Sequence, residues 1–228
     1  MYLDPLYLIF SIPALLIGLI ASIVVNATFS KYSKMLNSRG VNGIDTVSKI
    51  SEEKGYSIHF SLGSSALENH YNPLNSTIML SEVVARTQSI ASVAIAAHEV
   101  GHAAQHKSKS LGLTLRTFIA PAISITTNLG YFLLLSGIIL SLTNLAWLGI
   151  ILFSSSTIFS FLTLPVEFNA SRRAIKFIKE FNLLDAVEIQ GAKEVLTAAA
   201  LTYVASTVQS LSILIYFFLR VRGLNRSR

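Results

Sequence analysis

The sequence predicts a mainly α-helical membrane protein with three to four transmembrane helices and a further helical region that carries a small β-hairpin or edge strand. Apolar residues make up 52% of the 228 residues and charged residues 13%, against about 25% charged residues in ordinary soluble domains. Residues 5–30, 117–166 and 195–219 contain no Asp, Glu, Lys or Arg. This composition excludes a disordered chain and a simple cytosolic domain, and the lack of cysteine excludes a disulfide-stabilised secreted scaffold.

The first two uncharged stretches predict an N-terminal anchor and a transmembrane helical hairpin. Residues 1–30 form the anchor, and basic residues follow its span near residues 6–25 rather than precede it, which argues against a secretory signal. A single helix through residues 117–165 would be about 75 Å long, more than twice the ~30 Å hydrocarbon core of a bilayer. We therefore expect two spans, at residues 118–140 and 145–164, with a short polar turn between them.

Charge places the remaining segments relative to the membrane. Lys and Arg outnumber Asp and Glu nine to six in residues 31–116, so the positive-inside rule predicts that this segment is cytoplasmic. Residues 166–195 return to the same side, with a helix that opens at Asp185 and has a capping-box-like Glu188. Residues 196–228 comprise an apolar helix and a basic tail. This helix is either a fourth span, which puts its arginines outside against the rule, or packs on the protein or in the interface.

Local signals predict the elements that precede the longest buried helix of the cytoplasmic segment. Asn42 is able to cap a helix that ends with Gly55 in the C′ position. Residues 56–60 and 77–80 have the composition of short strands, separated by turn-rich residues 69–73. The second strand is predicted to present an edge to an extended substrate peptide.

The helix predicted over residues 89–106 contains the pattern H-E-x-x-H. His98 and His102 are four residues apart, so their imidazoles project from one helical face and are able to hold one metal ion. Glu99 points to the side of that face, where its carboxylate can take a proton from an attacking water without being a ligand. The competing interpretation is two core histidines beside a helical glutamate. His106, one turn further on, is predicted to be a surface residue.

A catalytic zinc site needs a third protein ligand, and Glu167 is the best candidate. A metzincin site would have Gly and His at the positions of Gln105 and Ser108, so that class is excluded. Glu167 is the first charged residue after the hairpin, and two spans return it to the side of the histidines. It is predicted to begin a helix whose face of small residues allows close packing against the histidine helix. The alternative is an ordinary interfacial glutamate.

Taken in order, these motifs resemble the YugP-type neutral zinc metallopeptidases, which are gluzincin-like integral membrane peptidases of bacteria. The matching segments are HYNP from His70, LS from Leu80, SIA from Ser89, AAHEVGHA from Ala96, EFNASRRA from Glu167 and AAALTYVA from Ala198. The resemblance implies one Zn²⁺ per chain, with His98, His102 and Glu167 as ligands and Glu99 as the general base. It also implies a zincin-like region in residues 31–116.

Two positions depart from related patterns. Two histidines and a glutamate split by a membrane hairpin are also similar to the heat-shock membrane protease and CAAX-prenyl-protease superfamily, in which an Asp stands where this chain has Ser171. The closer family commonly shows Asp where Asn72 stands. The first departure puts in doubt a supporting carboxylate at that position, but not the metal site itself.

The sequence thus predicts a membrane-bound zinc endopeptidase of the bacterial plasma membrane, with its site at the cytoplasmic membrane interface. It is predicted to hydrolyse membrane-associated polypeptides through a zinc-activated water, and no basic stripe with exposed aromatics indicates nucleic-acid binding. One alternative is a zinc-binding scaffold that no longer cleaves; a transporter is disfavoured because the three best spans lack ionisable residues. Candidates for oxyanion stabilisation or for support of the ligands are His70, Tyr71, Ser171, Arg172, Arg173 and Tyr203.

Overall fold

The structure, a computed structural model, describes residues 4–63, 65 and 68–226, and most of these residues are helical. The helices are α1 (Pro5–Ser33), α2 (Gly43–Lys54), α3 (Glu82–Arg86), α4 (Ile90–Lys107), α5 (Leu111–Ile139), α6 (Thr143–Glu180) and α7 (Glu188–Arg226). The strands are β1 (His59–Gly63), β2 (His70–Asn72) and β3 (Thr77–Ser81). The predicted mainly helical fold class is confirmed. Arg228 of the predicted basic tail lies outside the described residues.

Four helices of the described chain, α1, α5, α6 and α7, are long and apolar enough to cross a membrane. This agrees with the predicted three to four transmembrane helices. The polar turn predicted between the two central spans joins α5 to α6, and Ser141 takes a left-handed backbone conformation there with a φ of 55°. The backbone N–H of Leu142 donates to Gly137 O at 2.8 Å, which satisfies a terminal carbonyl of α5.

The chain divides into two compact units. The span unit consists of Met1–Ser22, Leu115–Leu164 and Thr202–Arg228. The site unit consists of Ile23–Thr114 and Pro165–Leu201. Each unit therefore combines segments that are far apart in sequence, and α1, α5, α6 and α7 each contribute residues to both.

Within the span unit, small residues allow the two helices of the central hairpin to pack closely. A Cβ on Gly137 would collide with the backbone of Ala146, and a Cβ on Gly149 would collide with the backbone of Leu134. Such contacts between small residues are typical of helices packed in a membrane, where the backbones approach closely. In addition, Ser210 on α7 donates a hydrogen bond of 2.9 Å to Thr157 Oγ1 on α6.

Within the site unit, the predicted capping signals are confirmed. The Asn42 side chain accepts from Asp45 N at 3.0 Å, and the Asp45 side chain accepts from Asn42 N at 3.1 Å, which closes a capping box at the start of α2. Gly55 ends this helix with a φ of 64°, a left-handed conformation that favours glycine. Asp185 and Glu188 form the same reciprocal pair before α7, at 2.9 and 2.8 Å.

The sheet of the site unit differs from the prediction in its topology. Its strand order is β1-β3-β2, with β1 parallel and β2 antiparallel to β3. The turn-rich segment at residues 69–73 contains β2, and the predicted first strand lies later, at β1. The prediction that residues 77–80 present an edge to a substrate is wrong, because β3 is the central strand and is paired on both sides. Its buried residues Ile78 and Leu80 fit that central position.

Two helices run further than the sequence indicated. A new helix was expected to begin near Glu167, but α6 is continuous from Thr143 through Pro165 to Glu180. Proline removes only one backbone donor, so a long helix with tertiary support is able to continue through it. Similarly, the helix expected near Asp185 and the final apolar helix are one element, α7.

Candidate metal centre

The centre of the site unit is α4, which is buried along most of its length. Ser89 caps this helix by accepting a hydrogen bond from Ser92 N at 3.1 Å. Alanines 91, 94, 96, 97, 103 and 104 are all at most 1% exposed, which allows neighbouring elements to approach the helix backbone. On one face, His98 and His102 stack edge to face with their ring centroids 4.8 Å apart.

Glu167 meets these histidines from α6, which packs closely on α4. Gly101 makes this approach possible, because a Cβ at that position would lie 2.6 Å from the backbone oxygen of Ala170. Glu167 Oε2 lies 3.2 Å from His98 Nε2 and 3.5 Å from His102 Nε2. One ligand atom from each of the three residues lies within 4.8 Å of the others. The structure therefore brings together the three residues that the sequence indicated as ligands.

The donor set of this cluster fits a divalent cation such as Zn²⁺. Both histidines engage a polar partner through Nδ1: His98 contacts Ser171 Oγ at 3.2 Å, and His102 contacts Gln105 Oε1 at 2.9 Å. The two Nε2 atoms are consequently free to face a shared cation together with the Glu167 carboxylate. Two imidazoles and one carboxylate are a known ligand set of catalytic zinc sites that keep a fourth position open. The 2% exposure of Glu167 also requires a positive partner for its buried charge.

Opposing effects act on the pKa of the His102 imidazole. Burial lowers the pKa of its imidazole, but the hydrogen bond to Glu167, the negative charges of Glu99 and Glu167, and the hydrogen bond to Gln105 raise it. The sum of these effects places the pKa above its ordinary value of 6.5. The acidic surroundings therefore favour a positive charge at this position, whether that charge is a proton or a metal ion.

Glu99 lies close enough to His102 for its charge to affect that imidazole. Its side chain is 6% exposed in spite of its charge. Glu99 is therefore a buried carboxylate beside the cluster that is not one of the three converging groups.

The remaining predicted site residues are distributed more widely. Ser171 contacts His98, and Arg173 donates through Nε to Asn169 Oδ1 at 2.9 Å. Arg172 is exposed. Tyr203 belongs to the span unit, whereas the other candidates belong to the site unit.

The β2 strand carries the other two candidates. His70 is exposed, whereas Tyr71 is buried and its hydroxyl lies 2.8 Å from His106 Nδ1. The expectation that His106 is simply a surface residue is wrong, since its ring is half-buried against Tyr71.

Two polar residues of the site, Gln105 and Asn169, were missed by the sequence reasoning. Gln105 is 1% exposed and bridges α4 to Val166 and Asn169 on α6. The available signal was the position of Gln105, three residues after His102 and therefore on the same helical face. Its partners lie about sixty residues further along the chain, so spacing alone does not identify them.

Comparison with known proteins agrees with this geometry. Residues 7–222 match the sequence profile of a family described as "Putative neutral zinc metallopeptidase". The chain is 39% identical over 213 residues to the "Putative membrane protease YugP" of Bacillus subtilis (strain 168), and this similarity covers 93% of the chain and 95% of that protein. No solved structure matches the chain.

Proposed function

This chain belongs to the neutral zinc metallopeptidase family, and from that premise we propose that it is a membrane-bound, zinc-dependent endopeptidase of the gluzincin-like H-E-x-x-H…E type. The observation that carries the proposal is the convergence of His98, His102 and Glu167, which come from two helices separated by a membrane hairpin in sequence. Two core histidines beside an interfacial glutamate would have no reason to direct three ligand atoms at one point.

The proposed chemistry assigns one role to each group of the cluster. His98, His102 and Glu167 hold one Zn²⁺ per chain, and the ion supplies Lewis-acid chemistry that polarises the scissile carbonyl and makes a water more acidic. Glu99 accepts the proton of the attacking water and delivers it to the leaving amine.

The support around the ligands is proposed to come from neutral groups. Ser171 occupies the place where the wider superfamily has an Asp, and its hydroxyl contacts His98 Nδ1 directly. The stabiliser of the oxyanion stays a prediction, with His70, Tyr71, Arg172 and Tyr203 as candidates. Arg173 is less suited to that role, because its guanidinium is engaged with Asn169 and Ser108.

The proposed substrates are membrane-associated polypeptides, and the proposed location is the cytoplasmic face of the bacterial plasma membrane. Two features support this location. The site unit includes the ends of helices that are able to span a bilayer. Its residues 31–114 and 167–194 contain eight and five of the chain's eighteen Lys and Arg residues, as the positive-inside rule requires of the cytoplasmic side.

The function is tested with the purified full-length chain and its Glu99→Gln variant. Both proteins are expected to contain one zinc per chain by elemental analysis, because Glu99 is not a ligand. Only the wild type is expected to cleave an unstructured polypeptide, with the variant at least 100-fold slower because general-base catalysis contributes about 10²–10⁴-fold.

The possible results separate the two classes of function. If the wild type and Glu99→Gln both contain zinc but neither cleaves the polypeptide, the result would favour a zinc-binding scaffold that does not cleave. Zinc in neither protein, or equal cleavage by both, would contradict the proposed peptidase. A His98→Ala variant serves as the control for the metal, since it is expected to lose both zinc and cleavage.

A further inference from the structure

A buried amide connects the two helices that carry the proposed ligands. Gln105 lies on α4, three residues after His102, and is 1% exposed. Its Oε1 lies 2.9 Å from His102 Nδ1. Its Nε2 donates to the backbone oxygen of Val166 at 2.8 Å and to Asn169 Oδ1 at 3.0 Å, both on α6. One side chain therefore contacts a proposed ligand and also the residue that directly precedes Glu167.

The two ends of this amide are not interchangeable. A backbone carbonyl only accepts hydrogen bonds, so the group of Gln105 that faces Val166 O must be the NH₂. A second contact gives the same orientation independently. Arg173 only donates, and its Nε lies 2.9 Å from the Asn169 side chain, so the atom of Asn169 shared with Gln105 must be the accepting oxygen. Two fixed partners thus orient the amide in one way.

This orientation determines which nitrogen of His102 carries the proton. With its NH₂ directed at α6, Gln105 presents its oxygen to His102 Nδ1, and an amide oxygen only accepts. Nδ1 must therefore be the donor, which leaves the lone pair of the neutral ring on Nε2. That is the atom 3.5 Å from Glu167 Oε2. His98 has no comparable constraint, because its partner Ser171 is a hydroxyl that both donates and accepts.

We propose that Gln105 is a positioning residue of the metal centre. It fixes the Nδ1–H tautomer of His102, and it holds α6 where Glu167 reaches the same cation. Asn169 and Arg173 brace the amide from the far side. This inference rests on the proposed zinc site, and it explains why an amide serves here rather than a carboxylate. A glutamate would accept from His102 equally well, but as a carboxylate it has no donor for Val166 O or Asn169 Oδ1.

The test compares two substitutions that divide the two functions of the amide. Gln105→Met keeps the volume but removes both acceptor and donor, and Gln105→Glu keeps the acceptor towards His102. In the purified full-length chain, Gln105→Met is expected to weaken zinc binding about 10–100-fold, measured by competition with a chelator. Gln105→Glu is expected to weaken zinc binding less than Gln105→Met, because it keeps the acceptor for His102, and to melt at a lower temperature than the wild type, because its carboxylate faces two oxygen acceptors on α6.

A second readout needs no metal. The ring nitrogens of ¹⁵N-labelled histidine report the tautomer by NMR in the zinc-free protein at alkaline pH, with the His102 signal assigned from its loss in His102→Asn. The wild type and Gln105→Glu are expected to show the proton on Nδ1, whereas Gln105→Met is expected to show a mixture of tautomers.

Thr46→Val provides the matched control. Thr46 is fully buried on α2 and donates to Asn42 O at 2.8 Å, so this variant loses a buried hydrogen bond away from the cluster. It is expected to melt at a lower temperature with unchanged zinc affinity. The inference is overturned if Gln105→Met binds zinc as tightly as Thr46→Val, or if wild-type His102 carries its proton on Nε2. A wild type with the Nδ1 proton and no zinc affinity would instead contradict the proposed function.

Discussion

At the scale of single residues, the surroundings of His102 bear on the pH at which the proposed centre would hold a cation. A metal ion and a proton compete for the same Nε2 lone pair. Burial disfavours the proton, but Glu167, Glu99 and Gln105 together raise the pKa of the metal-free imidazole above 6.5. Because the folded-state pKa exceeds the unfolded one, the bound proton stabilises the metal-free fold below pH 6.5. This stabilisation is lost as the pH rises through the folded pKa.

As the pH is lowered, we expect zinc affinity to begin to fall while the pH is still above 6.5. Below the raised pKa, each unit of pH should weaken binding about tenfold, because one proton is displaced per metal bound. The measurement is a chelator competition at a series of pH values. In Glu99→Gln, one of the charges that raise the pKa is absent, so the onset should move to lower pH. An affinity that is constant down to pH 6.5 in the wild type would contradict this expectation.

The residues of the proposed site differ in how readily the sequence alone identifies them. His98, Glu99 and His102 were predictable because their spacing on one helix already implies a shared face. The convergence of Glu167 with the histidines was predicted from membrane parity, since a hairpin of two spans would return the chain to the same side. Gln105 was not, because its orientation depends on acceptors of α6 that only the fold brings within 3.0 Å.

At the scale of elements, the packing of α6 on α4 determines whether the proposed ligands meet. Gly101 lies between His98 and His102 in sequence, and Ala170 lies one turn after Glu167 on α6. The backbones approach so closely here that a Cβ on Gly101 would lie 2.6 Å from Ala170 O. The small residues predicted on this face of α6 are buried, with Ala170 and Ala174 both at 0% exposure.

Gly101→Ala should therefore separate the two helices and with them the proposed ligands. We expect a destabilisation of about 1–3 kcal/mol, typical of overpacking in a tight core, together with weaker zinc binding. Thermal unfolding of the zinc-free protein and zinc titration measure the two effects. Gly18→Ala is the matched control, because a Cβ at this helical glycine meets no atom within 4 Å. It should leave zinc affinity unchanged, and a Gly101→Ala protein that behaves in the same way would contradict the packing argument.

Elements were predictable where their signals are local. The capping box of Asn42 and Asp45 and the left-handed Gly55 depend on neighbours within a few residues, and these boundaries were found. The β2 strand was missed because its turn-like residues pair only through contact with β3. Likewise, a new helix was expected to begin at Glu167, whereas support from packed neighbours lets α6 continue through Pro165.

At the scale of the whole molecule, α7 gives the strongest indication of how the chain crosses the membrane. Asp4 directly precedes α1. Near the end of α7, Tyr216 donates to Asp4 Oδ2 at 3.1 Å, and Arg220 lies 3.6 Å from the same oxygen. Near its start, Glu194 accepts a hydrogen bond from Tyr32 at the other end of α1. The two helices therefore contact each other at both ends in antiparallel directions, which favours α7 as a fourth span. A fourth span would put the C-terminal arginines on the outside, against the positive-inside rule. Asp4 offsets part of their positive charge by pairing with Arg220.

If α7 crosses, Arg222 lies on the opposite side of the membrane from α2. The chain contains no cysteine, so single-cysteine variants report this without background. In intact cells, a membrane-impermeant maleimide is expected to label Arg222→Cys, and to label Glu53→Cys only after lysis; both positions are exposed. Labelling of both variants only after lysis would show that α7 does not cross. Labelling of Glu53→Cys in intact cells would place the proposed zinc site outside, and would reverse the orientation inferred from the positive charges of residues 31–116.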